Sequence, residues 1–297
     1  MRLVQFQYEH LEENENDEEV YLGVQKDEDE DIILLPGTMQ KIIEGGQELL
    51  DETTVKIRLA ELNGTLETVS LSNVQLVAPI TKPNKILGIG LNYKDGADEM
   101  GKPYPEAPIV FIKLPSTISG PTDPLPLPNE SKEVDWEVEL VVIIGKKGRY
   151  IKKEDALDYV FGYTVGVDYT ARDLIQKNSG LWTLAKNFPG FCSLGPAVVT
   201  KDEIPLPLAL KLSTEVNGKL KQSSNTSNMI FDIRDLISYL SIYYDLLPGD
   251  LILSGTPAGV GVTRSPPEFI KRGDIIKCEI QKIGSIVNTA IMTMPQS

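Results

Sequence analysis

The stretch VDWEVELVVIIG, from Val134 to Gly145, places two glutamates, Glu137 and Glu139, in an otherwise apolar run. Strand side chains alternate between faces, so Asp135, Glu137 and Glu139 share one side while Trp136, Val138 and Leu140 share the other. Carboxylates spaced in this way lie about 7 Å apart and repel by about 2 kcal/mol at an effective dielectric of about 20. A cation is therefore expected between them. The following LVVIIG is apolar on both faces, the pattern of a central strand with both sides covered. The competing reading is an edge strand whose acidic side faces water.

In FGYTVGVDYTARD, Gly162, Thr164, Gly166 and Asp168 fall on one strand face. The small residues leave space, and an acid ends the row. Three carboxylates from two strands, completed by water or substrate oxygens, form an all-oxygen set suited to Mg²⁺, Mn²⁺ or Ca²⁺. Zinc would call for nitrogen or sulfur. Lys186, in LWTLAKNFPGF, taken alone reads as a surface lysine with its stem laid along apolar neighbours. Beside a metal-bound oxo acid, its ammonium would hold a carboxylate or stabilise an enolate as it forms.

Composition narrows the chemistry further. The chain has 297 residues, 41% of them hydrophobic, enough for one large domain or for a small one joined to a larger. A net charge of −14 argues against a nucleic-acid surface and against a polybasic membrane patch. The two cysteines, Cys192 and Cys278, lack the spacing of a zinc or redox motif and suit a reducing compartment. The start is acidic and strand-like, so no transit or signal peptide is legible there; a cytosolic placement is the default and a mitochondrial one the alternative. With one histidine, His10, in the acidic N-terminal region, imidazole catalysis and His-rich metal sites are nearly excluded.

Up to residue 76, short strand patterns (RLVQFQY, EVYLGVQ, DIILLP) and a helix-like TMQKIIEGGQELL predict a small N-terminal α+β domain. A proline-bearing connector then leads into a β-rich domain over 77–297. The strongest helix there is DIRDLISYLSIYYDLL, with Asp232 as its cap and Ile233, Leu236, Leu240, Tyr243 and Leu247 as its apolar face. Prolines between Pro103 and Pro128 predict rigid loops that shape a pocket at one end of the body. GIGLNY and SGTPAGVGVT lack the endings of nucleotide loops, which leaves tight turns or close approach to a small ligand.

The motifs GLNYKDGADE, VDWEVELVVIIGKKG, GYTVGVDYTARD, QSSNTSNMIF and GDLILSGTPAGVGV together resemble the fumarylacetoacetate hydrolase superfamily from about Val77 to Ala290. The resemblance implies an α+β, β-rich fold whose mixed β-roll catalytic domain forms a homodimer. It also implies a Mg²⁺ ion held by Glu137, Glu139 and Asp168, which chelates a small oxo acid or 1,3-dicarbonyl. Family reactions are C–C hydrolysis, decarboxylation and keto–enol exchange, and the branch resembled includes oxaloacetate tautomerases. Arg172, Thr256 and Lys186 align with substrate-contacting positions. The family glutamine falls on Ile175, with Gln176 one place on as its substitute. The lid motif departs: its histidine slot holds Gly96, which leaves Glu99 as the candidate proton carrier without its partner. Keto–enol exchange needs no activated water, so it ranks ahead of acylpyruvate hydrolysis and oxaloacetate decarboxylation. The rival outside enzymology is a pseudoenzyme that binds metal and oxo acid without turnover.

Overall fold

In the computed structural model, which describes residues 1–9, 19–27, 31–206 and 208–293, the strand Val138–Ile144 is buried along its whole length. His10 and most of the acidic run from Glu9 to Glu19 lie outside the described residues. The strand sits inside a twelve-stranded sheet, hydrogen bonded antiparallel to Val160–Asp168 on one side and to Leu251–Leu253 on the other. The edge-strand reading is thereby replaced by the central one. Beyond Leu251–Leu253 the sheet continues through Ile86–Gly90, which runs parallel to it, to Ile109–Lys113 at the border.

Both faces of the central strand are covered, which explains why LVVIIG carries no polar face. Val138, Leu140, Val142 and Ile144 share a core with Leu212, Ile276, Ile280 and Ile286 of a separate five-stranded sheet. Val141 and Ile143 share another with Met39, Ile42, Ile43 and Leu50 of helix α1, Met39–Asn63. Each such fully buried side chain contributes about 1.5–3 kcal/mol relative to exposure. The segment up to residue 76 supplies strands to the same large sheet, because Arg2–Tyr8 pairs antiparallel with Cys192–Thr200. α1 runs well past the expected helical stretch. Thr38 caps its first turn, Gly46 breaks its line at φ 57°, and Gly64 closes it at φ 67°.

Helix α5, Ile233–Tyr243, starts in a capping box in which the Asp232 side chain accepts from Arg234 and Asp235 N–H groups and Asp235 answers to the Asp232 N–H. Its buried face is Ile233, Leu236, Ile237 and Leu240. Tyr243 is exposed and the helix ends before Leu247, so the apolar face is one turn shorter than its pattern suggests.

The row of small residues before Asp168 opens no space for a ligand. A Cβ on Gly162 would come 2.4 Å from the Val199 carbonyl oxygen, and one on Gly166 would come 2.4 Å from Val141 Cγ2. Thr164 donates its hydroxyl to the Gly195 carbonyl at 3.1 Å. These positions let neighbouring strands close up, and only the acid at the end of the row reaches a site.

Candidate metal centre

Strand pairing brings the acids together. Glu139 lies opposite Gly166 in the ladder, and the Asp168 N–H donates to the Glu137 carbonyl at 2.9 Å just beyond it. One carboxylate oxygen from each of Glu137, Glu139 and Asp168 lies within 4.8 Å of the others, and all three residues are buried.

Three cations surround them. Lys186 ends helix α4, Thr183–Lys186; its ammonium donates to Glu137 at 2.8 Å, to Thr170 at 2.8 Å and to Asp168. The Phe111 ring covers it at 4.8 Å. Lys186 is therefore a buried residue, contrary to the surface reading, because α4 is carried against the sheet's border strand. Arg172 opens helix α3, Arg172–Lys177, and forks between Asp135 at 2.9 Å and Glu137 at 2.5 Å. Lys113, at the end of Ile109–Lys113, is fully buried; it donates to Asp168 at 2.7 Å and to the Lys186 carbonyl.

Lys113 escaped sequence reasoning. Its signal was the same as that of the glutamates, a charge inside an apolar strand, IVFIKL. Lys113→Met would leave Asp168 with Lys186 as its one remaining cation, a loss near the low end of the range for a broken buried pair, about 3 kcal/mol. Urea unfolding of the metal-free protein measures it; an unchanged midpoint would deny Lys113 this role.

The electrostatics divide the acids. Burial pushes Glu137 up, but Lys186 and Arg172 outweigh it and hold the carboxyl down at about 2. Burial also raises Glu139, well above the glutamate range, and there the negative charges of Asp168 and Glu137 add to the effect. Glu139 accepts from the Gly255 N–H at 2.7 Å, and no ion pair to it exists among the described residues. Asp135 is raised chiefly by burial, against the pull of Arg172. Lys186 is raised because Asp168 and Glu137 overcome its own desolvation. The group thus has one buried carboxylate that lacks a counter-charge.

A divalent ion fits this set. The donors are three hard oxygens without histidine or cysteine, which suits Mg²⁺, Mn²⁺ or Ca²⁺. Nearby, the buried Tyr93 hydroxyl has the buried Ser254 hydroxyl as its hydrogen-bonding neighbour. In the sequence Tyr93 counts only as the residue that stands where a dinucleotide loop needs its third glycine.

A pocket of about 340 Å³ opens over the acids, walled by Phe111, Trp182, Ile175 and Met100. Glu137, Glu139, Arg172, Gln176, Thr256 and Lys186 all line it. Asp168 lies beneath, fully buried. The Thr256 hydroxyl donates to the Val138 carbonyl at 2.9 Å and accepts from Gln222 at 2.9 Å. Glu99 stands apart. It is exposed in helix α2, Lys94–Glu99, and its carboxylate accepts from the Gly259 N–H and the Thr263 hydroxyl, both at 2.9 Å. Gly96 lines the pocket, and a Cβ there would meet the backbone of residues 256–258 at ordinary distances of 3.4–3.5 Å. The glycine-rich turns serve the site directly: Gly255, at φ +97°, offers its N–H to Glu139 while its bare Cα lets Asn92 approach.

Comparison with known proteins points to one family. Residues 85–291 match the family model described as fumarylacetoacetate (FAA) hydrolase C-terminal. The chain is 46% identical over 298 residues to the Rattus norvegicus protein named oxaloacetate tautomerase Fahd2a, mitochondrial, covering 98% of this chain and 92% of the relative. A fumarylacetoacetate hydrolase from Exiguobacterium antarcticum superposes with a TM-score of 0.82 at 31% identity, covering 99% of this chain and 100% of the other. The maleylpyruvate hydrolase of Sphingobium sp. SYK-6, solved with manganese (II) ion and pyruvate, gives 0.79 at 30% identity over the same shares.

Proposed function

The chain belongs to the fumarylacetoacetate hydrolase family, and from that premise we propose that it is an oxaloacetate keto–enol tautomerase dependent on a divalent ion, Mg²⁺ in the first instance. The observation that carries this reading is the convergence of Glu137, Glu139 and Asp168 within 4.8 Å, beside a lid position that is glycine. When bound, the metal supplies a Lewis acid that draws electron density from the substrate's oxygens.

The chain's own residues do the rest. Lys186 keeps its proton among Glu137, Asp168 and Thr170 and presents a fixed positive charge where enolate character develops. Arg172, clamped by Asp135, holds Glu137 in place and turns one edge to the pocket with Gln176. Phe111 and Trp182 keep water from the ammonium. Glu99 is the proposed proton carrier: it reaches the pocket when its bonds to Gly259 and Thr263 open. Exchange between keto and enol forms shifts a proton from carbon to oxygen and consumes no water.

The test is deuterium exchange at C3 of oxaloacetate, followed by NMR with Mg²⁺ and after chelation. Metal-dependent exchange is expected; equal rates in both samples would refute the proposal. Gly96→His sharpens it, since the Cβ is accommodated and an imidazole would stand near Glu99. Acetylpyruvate cleavage, read as pyruvate release, is expected to rise by about 10²-fold, the lower end of what a positioned base contributes. No gain would assign hydrolysis elsewhere in the site.

No helix among the described residues is long and apolar enough to cross a membrane. The mitochondrial name of the rat relative favours a mitochondrial placement over the cytosolic default. A homodimer belongs to the same proposal and is read by light scattering.

A further inference from the structure

The charges around the acids do not balance a dicarboxylate. Asp135, Glu137, Glu139 and Asp168 stand against Lys113, Arg172 and Lys186, four negative groups and three positive, and every one of these cations is already in an ion pair. The sum is −1. A divalent ion brings it to +1, which complements the single carboxylate of a 2-oxo monocarboxylic acid. A second carboxylate on the substrate would enter a partly closed pocket without a partner, an arrangement that desolvation penalises.

One further cation lines the pocket: Lys102. Among the described residues its ammonium forms no ion pair. Its root is fixed although its side chain is exposed. The Lys102 N–H donates to the Ala97 carbonyl and the Gly101 N–H to the Asp98 carbonyl, both at 3.0 Å, with Gly101 at φ +61°. This is a Schellman closure of α2, which sets where the lysine leaves the backbone. The Tyr104 hydroxyl, donating to Asp98 at 3.2 Å, braces the following turn.

We propose that Lys102 receives the distal carboxylate of the substrate and makes the pocket selective for 2-oxo dicarboxylates over 2-oxo monocarboxylates. The inference rests on the oxo-acid reading of the site. Lys102 is a specificity residue: it meets the end of the substrate away from the reacting carbon.

Malate and lactate form the test pair, since both offer a 2-hydroxy acid and only malate adds a distal carboxylate. Their binding to the Mg²⁺-loaded wild type, Lys102→Met and Lys102→Arg is measured by calorimetry. Lys102→Met is expected to weaken malate about fivefold and leave lactate unchanged, with Lys102→Arg restoring malate, as suits a charge pair near solvent. Raising the salt should shrink the wild-type preference. The KM for oxaloacetate should rise in parallel. Malate binding equal in wild type and Lys102→Met, with oxaloacetate exchange intact, overturns the role of Lys102 alone. A wild type that binds neither acid and shows no metal-dependent exchange overturns the oxo-acid reading and this inference with it.

Discussion

Glu139→Gln is expected to give a metal-free protein that is more stable than the wild type at neutral to alkaline pH, yet unable to hold the ion. The amide keeps an oxygen for the Gly255 N–H, while the charge that faces Asp168 and Glu137 is gone. Linkage sets the sign. A carboxyl whose pKa is higher folded than unfolded contributes its full stability below the unfolded value and loses it as pH rises through the folded one. The metal-free wild type should therefore weaken above the ordinary glutamate range, by up to about 1.4 kcal/mol per pH unit, and the glutamine variant should lack that slope. Glu137 acts oppositely: held at about 2, its contribution is present above the ordinary glutamate range and is lost as pH falls through 2. Melting curves from pH 2 to 9, with and without Mg²⁺, test both limbs. Mg²⁺ should raise the wild-type Tm increasingly with pH, because the ion competes with the proton on Glu139. The variant should show no such gain, and its exchange activity should fall by about 10²-fold. A variant stabilised by Mg²⁺ as strongly as the wild type would remove Glu139 from the ligand set.

Lys186→Met should separate stability from catalysis. Removing the ammonium leaves Glu137 with Arg172 and Asp168 with Lys113, so the loss lies near the low end of the range for a broken buried pair, about 3 kcal/mol. A divalent ion supplies positive charge to the same oxygens, so Mg²⁺ should recover much of the lost Tm. Activity should stay down by about 10²–10³-fold, because the ion does not replace a fixed donor at the enolate. Calorimetry with graded Mg²⁺ beside the exchange assay reads both. Recovery of activity together with stability would reduce Lys186 to a structural counter-charge.

The convergence of the three acids was legible because charge inside an apolar strand has few explanations. Glu137 and Glu139 interrupt a segment whose two faces are both covered, and Asp168 ends the strand paired with it. Lys113 broke the same rule, but a single lysine is so often a surface group that the anomaly carried little weight. The burial of Lys186 was hidden for another reason: a short helix is placed by partners far away in the chain, such as Lys113 against its carbonyl. The posture of Glu99 depends on Gly259 and Thr263, some 160 positions on, which no local pattern encodes. Gly162 and Gly166 misled for a related reason. Glycine marks a close approach without saying whether a ligand or another strand makes it, and here the answer came from Val199 and Val141.

The pairing of Arg2 with Val199 has a consequence for synthesis of the molecule. The opening strand pairs early with Tyr21–Gln25 and Val74–Val77, but the contact that joins it to Cys192–Thr200 waits until nearly two hundred residues have been made, about 10–40 s at translation rates of about 5–20 residues per second. Until then the strand edge at Arg2 and Leu3 stays open on the nascent chain, and chaperone cover during that interval would help yield.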